Sequence, residues 1–154
     1  MRISRNQMFM EIAHVAAKRS TCARLNVGAV IVYKGRIVSM GWNGAPSGEP
    51  HCHERQCPRI PGLCVTVHAE ANAIEFARRQ RVPLGECTLY VTHSPCRDCC
   101  EAVHQAGLKA VMFGTAYRDT TALTSLISAG IQVFQVLPCG YVIDIERDEL
   151  LNEG

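Results

Sequence analysis

No stretch of this 154-residue chain stays apolar for long. The N-terminal segment from Met1 to Met10 has no run that would serve as a signal peptide. Nothing later approaches the roughly 20 apolar residues of a membrane span. No membrane partner is expected, and a cytoplasmic location is. The chain also lacks an excess of one charge, since 16 Lys and Arg stand against 14 Asp and Glu, for a formal net charge of +2. That is far from the basic footprint of a protein that grips a long nucleic acid, so polymeric nucleic acid is not an expected partner. Internal repeats and low-complexity tracts are missing as well. With 47% hydrophobic residues, the length supports one full core and is short for two, so residues 1–154 are read as a single domain.

Cysteine, by contrast, is plentiful, and its nine copies are an odd number. In an intracellular chain they read better as metal ligands or buried thiols than as a disulfide framework.

Hydrophobic periodicity divides the chain. Met8, Ile12, Val15 and Ala16 fall at helical spacing between Arg5 and about Lys18, with Ser4 placed as the cap. Val27 to Tyr33 and Arg36 to Trp42 are β-rich runs joined by Lys34-Gly35, which reads as a hairpin. A Pro- and Gly-rich loop from Asn43 to Leu63 follows, and a loop of this length is usually functional or pinned. Helix is expected from His68 to about Arg79, from Cys96 to about Ala106 with Gly107 closing it, and from Thr121 to Ala129. Strands are expected over 88–92, 110–113 and 131–136. A hairpin followed by α-β-α-β-α-β implies an α/β fold with a five-stranded mixed sheet and helices on both faces. The tail from Leu137 is silent, with a strand or a subunit contact both open.

The chemistry is concentrated in Cys64-Val-Thr-Val-His68-Ala-Glu70 and Ser94-Pro-Cys96-Arg-Asp-Cys99-Cys100. A catalytic zinc site has three protein ligands and leaves a fourth position open. His68, Cys96 and Cys99 supply three, at two helix starts whose N–H groups and dipoles favour thiolates. Glu70 separates catalysis from structure, because a carboxylate beside the metal but not bound to it can shuttle a proton. The alternatives are a buried core His68 and a purely structural zinc, but a structural site closes its sphere with four protein ligands and no fourth is evident.

These residues fit the H-x-E…P-C-x-x-C pattern of the zinc deaminases of cytosine or adenine. The sequence resembles, more narrowly, the deoxycytidylate (dCMP) deaminases, through Val27-Gly-Ala-Val-Ile-Val, Gly41-Trp-Asn-Gly44-Ala-Pro-Ser-Gly48, His68-Ala-Glu-Ala-Asn-Ala-Ile74, Leu89-Tyr-Val-Thr92 and Ser94-Pro-Cys96. Trp42 stands where members more often have Tyr. The resemblance implies the cytidine-deaminase-like three-layer fold and hydrolysis of dCMP to dUMP and ammonia, supplying dUMP for dTTP synthesis. Glu70 would carry protons to N3 and to the departing amine. The backbone at Ala69 and the side chain of Asn43 would clamp base and sugar, with Arg24, Arg79 and Tyr117 as candidates for the 5′-phosphate. Arg24 and Arg79 are equally readable as solvated surface arginines.

Members of this family are often homohexamers, activated by dCTP and inhibited by dTTP at a site that includes the Gly-aromatic-Asn-Gly segment, here Gly41, Trp42, Asn43 and Gly44. Mg2+ carried with the effector nucleotide is part of the same expectation. Some also hold a second, structural zinc before the His-Ala-Glu segment, where Cys22 and Cys52 match. Cys57 and Cys64 complete the set by spacing, buried thiols being the alternative. Cys100 is expected to pack in the core. A deaminase of tRNA adenosine or of a free nucleoside, and a zinc-stabilised binding module without turnover, are the competing functions.

Overall fold

A computed structural model describes residues 1–52, 66–117 and 119–145. Its first element, α1 (Arg5–Ala17), starts where Ser4 accepts a hydrogen bond from the Gln7 N–H at 3.1 Å. The sheet-facing side is Phe9, Met10, Ala13, Ala16 and Ala17. The stripe expected from spacing is therefore displaced: Val15 is 62% exposed and Met8 37%. The helix carries two apolar stripes. The one that wins places Phe9 against Tyr90, with ring centroids 5.1 Å apart, and uses the small Ala13 and Ala17 to let Gly28 approach the helix backbone.

The hairpin β1 (Gly28–Tyr33) and β2 (Arg36–Trp42) forms as the sequence suggests. Lys34 and Gly35 both have positive φ, at 48° and 73°, as a tight two-residue hairpin turn of the I′ kind requires. Next come α2 (Ala69–Arg79), β3 (Thr88–His93), α3 (Arg97–Ala106), β4 (Ala110–Thr115), α4 (Leu123–Ser128) and β5 (Gln132–Val136). Gly107 ends α3 in the left-handed conformation, with φ 71°.

The sheet has six strands rather than five, in the order β2-β1-β3-β4-β5-β6. The added strand, β6 (Val142–Asp144), pairs antiparallel with β5 through a turn in which Gly140 has φ 90°. Three residues are too few to show an alternating pattern, which is why the tail reads as silent.

Strand alternation sorts the core into two layers. Ala29, Ile31, Leu89, Val91, Val111, Phe113 and Val133 face α2, α3 and α4. Val30, Val32, Tyr90 and Met112 face α1. Helices thus cover both faces, and β3, parallel to β4 and antiparallel to β1, lies centrally. Among the described residues, no helix is long and apolar enough to cross a membrane.

Candidate active site

The C-terminal end of β3 and the first turns of α2 and α3 meet at one place, the end of a parallel strand where open α/β sheets form their binding crevice. His68 is the N-cap of α2, extended at φ −75° and ψ 154°, and its side chain makes no capping bond. Its ring is therefore free for other work. Reciprocal hydrogen bonds between Gly44 and Val67, at 2.8 and 3.1 Å, fix the approach to His68 against the end of β2. Cys96 is the N-cap of α3, also extended and also without a capping bond.

These two helix starts bring the three expected ligands together. His68 Nδ1 lies 3.2 Å from Cys99 Sγ and 3.5 Å from Cys96 Sγ, and all three ligand atoms lie within 4.8 Å of one another. Neighbouring ligand atoms of a tetrahedral zinc with Zn–S and Zn–N bonds of about 2.3 and 2.0 Å stand about 3.5–3.8 Å apart, so the cluster fits that ion. Among the described residues it is the only group of three or more His, Cys, Asp or Glu side chains that does. Hydrogen bonds from the Cys99 thiol and then from His68 pull Cys96 down to about 4, while Cys99 is pushed up.

Glu70 belongs to α2 and is 4% exposed, at the floor of the cavity. Burial, the largest effect on it, holds its carboxyl above the usual range. A carboxylate raised in this way is a better proton acceptor than an exposed one.

The cavity measures about 180 Å³. Glu70, Ala69, His68 and Cys96 line one end, while Arg24, Asn43, Tyr117 and Cys22 line it elsewhere. Asn43 is 6% exposed. Its Oδ1 accepts the Val27 N–H at 2.8 Å and its Nδ2 donates to the Leu25 carbonyl at 2.6 Å. Arg24 is exposed and Tyr117 is 40% exposed.

Arg79 is the expected phosphate residue that the fold does not bring to the cavity. It ends α2, ten residues from Ala69 and thus about 15 Å along the helix. There it pairs with Glu75 at 3.1 Å on the surface.

Gly41 and Gly44 lack a side chain because of close packing. A methyl on Gly41 would strike the Ala69 carbonyl and lie 2.7 Å from Ala73 N, and one on Gly44 would lie 2.5 Å from Thr21 Oγ1. Trp42 between them is half-buried with the Arg19 guanidinium 5.8 Å above its ring, and its carbonyl accepts from Asn72 at 2.8 Å.

Cys52 is buried with its Sγ 3.7 Å from Thr66 Oγ1. Cys57 and Cys64 lie outside the described residues. Cys100 is 1% exposed, packs in the core and contacts the Pro95 carbonyl, and burial pushes its thiol up to about 12.

Five cavity residues are not among the expected site residues, Leu25, Val27, Thr66, His93 and Ser94, and the last two adjoin the cluster. Both close β3 immediately before Pro95-Cys96, and that position was the available signal. The residues that join a strand end to a ligand-bearing helix must border the ligand. His93 Nδ1 lies 2.9 Å from Thr92 Oγ1, which also accepts the Gly28 N–H at 3.2 Å. Ser94 is 4% exposed.

The family model for the cytidine and deoxycytidylate deaminase zinc-binding region matches residues 3–115. The chain is 40% identical over 153 residues to ComE operon protein 2 of Bacillus subtilis, with 98% of this chain and 81% of that protein covered. It is 37% identical over 147 residues to the deoxycytidylate deaminase of Schizosaccharomyces pombe, covering 89% of this chain but only 45% of that enzyme. Among solved structures, the dCMP deaminase of cyanophage S-TIM5 in complex with dCMP and dUMP superposes with a TM-score of 0.76 at 34% identity, covering 88% of this chain and 98% of that one. A matched zinc-binding region, a three-ligand cluster with a buried carboxylate beside it, and a shared fold over most of the chain place this protein in the cytidine and deoxycytidylate deaminase family.

Proposed function

We propose that this protein hydrolyses dCMP to dUMP and ammonia. The observation that carries this reading is the pairing of a three-ligand N/S cluster with a buried, unligated carboxylate, Glu70, in one cavity. The similarity to a structure solved with dCMP and dUMP supports the choice of substrate.

His68, Cys96 and Cys99 would hold a zinc ion, which would supply acidification of a water towards a pKa of about 7. The protein's own part is proton handling and placement. Glu70 takes the proton of the attacking water as the C4–O bond forms and gives it to N3. It then carries the proton of the new C4 hydroxyl to the exocyclic amine, and the C4–N bond breaks to release ammonia as C4=O forms. Burial of Glu70 suits the first transfer, since a carboxylate raised above its usual range takes up a proton more readily than an exposed one. Ala69, in the first turn of α2 where backbone N–H groups have no helical partner, lines the cavity beside Glu70. Asn43 shapes the wall opposite, and Arg24 with Tyr117 receives the phosphate.

Ammonia release and the loss of cytosine absorbance, measured separately with dCMP, deoxycytidine and dCTP, test this reading. Turnover of dCMP alone supports it. No turnover of any of the three by zinc-loaded protein refutes it.

Regulation by dCTP and dTTP with Mg2+ at Gly41 to Gly44, a homohexameric assembly and a cytoplasmic location belong to the same proposal. They rest on resemblance, and adding dCTP or dTTP to the dCMP assay tests the first. A structural zinc on Cys22, Cys52, Cys57 and Cys64 is proposed likewise. Two zinc ions per chain by elemental analysis support it, and one alone counts against it.

A further inference from the structure

Among the described residues, the loop that follows β4 reaches the cavity through Tyr117, and its attachment there is specific. Ser94, at the end of β3, is 4% exposed. Its Oγ accepts the Tyr117 N–H at 2.6 Å, and its own N–H donates to the Thr115 carbonyl at 2.9 Å. One residue thus ties the loop twice, at the point where β4 stops and where the chain turns over the cavity. Tyr117 is 40% exposed, so little packing competes with this bond in placing it.

Within the cavity the metal-ligand cluster and Glu70 define the end where C4 must react. A nucleotide's phosphate lies at the other end of the molecule, towards solvent. Arg24, which among the described residues is the only Lys or Arg lining the cavity, is exposed, as is Tyr117. The loop that Ser94 holds therefore borders the phosphate end.

We infer that Ser94 is a positioning residue for nucleotide recognition, holding Tyr117 in place so that the phosphate, and not the reacting ring, depends on it. This rests on the dCMP reading above.

The test is steady-state kinetics on zinc-loaded Ser94→Ala, Ser94→Thr, Tyr117→Ala and the Ser94→Ala/Tyr117→Ala double variant, with zinc content measured for each. Loss of one hydrogen bond of ordinary strength predicts a KM for dCMP raised about fivefold in Ser94→Ala, with kcat within about twofold of the parent. Ser94→Thr, which keeps the hydroxyl, restores KM. In the Tyr117→Ala background, Ser94→Ala changes KM by less than about twofold, because the effect runs through Tyr117. Inhibition of dCMP turnover by dUMP weakens in Ser94→Ala by the same factor as KM. Inhibition by deoxyuridine is unchanged, or is absent already in the parent.

An unchanged KM, a fall in kcat at constant KM, full additivity of the two alanine variants, or equal weakening of dUMP and deoxyuridine overturns the inference. A parent enzyme that turns over dCMP while Ser94→Ala behaves like it defeats this inference alone. A parent inactive on dCMP defeats the reading beneath it.

Discussion

Asn43 and Val27 are joined by a 2.8 Å hydrogen bond from the Val27 N–H to Asn43 Oδ1. The same side chain donates to the Leu25 carbonyl at 2.6 Å. Asn43 therefore braces the cavity wall of which it is part, fixing the segment that brings Arg24, Leu25 and Val27 to the cavity. The sequence offered it as a direct clamp on the substrate. Its remaining amide hydrogen and lone pair leave room for that, but the wall comes first. Asn43→Ala leaves two backbone groups without partners and should cost about 2–4 kcal/mol of stability, read from urea unfolding. Asn43→Asp keeps the bond to Val27 but turns an oxygen towards the Leu25 carbonyl, so it too should destabilise. An Asp variant as stable as the parent would remove the case for the Leu25 contact.

Gly41 sets how closely α2, which carries Glu70, lies on β2. Ser39 reinforces the contact through its Oγ, which donates to the Ala73 carbonyl at 2.6 Å. Gly41→Ala forces the strand and helix apart, with an expected cost of about 1–3 kcal/mol. Because His68 begins the same helix, zinc should also be bound more weakly. Competition with a chelator at graded concentration measures this, and unchanged zinc affinity would show that the helix absorbs the added methyl without moving His68.

How much of this was legible beforehand follows the physics of each element. His68, Cys96 and Cys99 could be read because metal ligation demands particular residue types at helix starts, and the helices and the hairpin turn carry local signals in caps and glycines. Phe9 and Met8 show the opposite case. Both lie on apolar stripes of α1, and only the partner surface, with Tyr90 on the sheet, decides which is buried. Arg79 looked like any other cation until the length of α2 carried it away from the cavity. Strand β6 is too short for periodicity to register. His93 and Ser94 have common side chains whose roles come from position alone.

Glu70 carries the sharpest prediction for activity. Glu70→Gln preserves shape and hydrogen bonding but cannot take up a proton, so kcat on dCMP should fall by at least about 10²–10⁴. Zinc content should remain that of the parent, since Glu70 is not one of the three clustered ligands. The two measurements must be made on the same preparation. Lost activity with lost zinc would make Glu70 a structural support of the cluster, and retained activity would end the proton-shuttle role.

His93 links the cavity to the pH dependence of stability. Burial, and then the neighbouring His14 ring, hold its pKa below the ordinary 6.5. The Thr92 hydroxyl, which accepts from the Gly28 N–H, shares a 2.9 Å hydrogen bond with His93 Nδ1 and holds the ring in place. The sign follows from linkage. The unfolded chain binds a proton on this ring more readily than the folded one, so stability from His93 is fully present above pH 6.5 and is lost as pH falls through the lower folded value. Acid also protonates the metal ligands and releases zinc, so the informative quantity is a difference between proteins. The stability gap between the parent and His93→Gln should change as pH is lowered from 7.5 to about 5, with the parent losing more, since only it carries the ring whose charging folding opposes. Urea midpoints measured across that range, with zinc in excess, give the gap directly. Parallel curves for the two proteins would show that His93 titrates alike in the folded and unfolded chain.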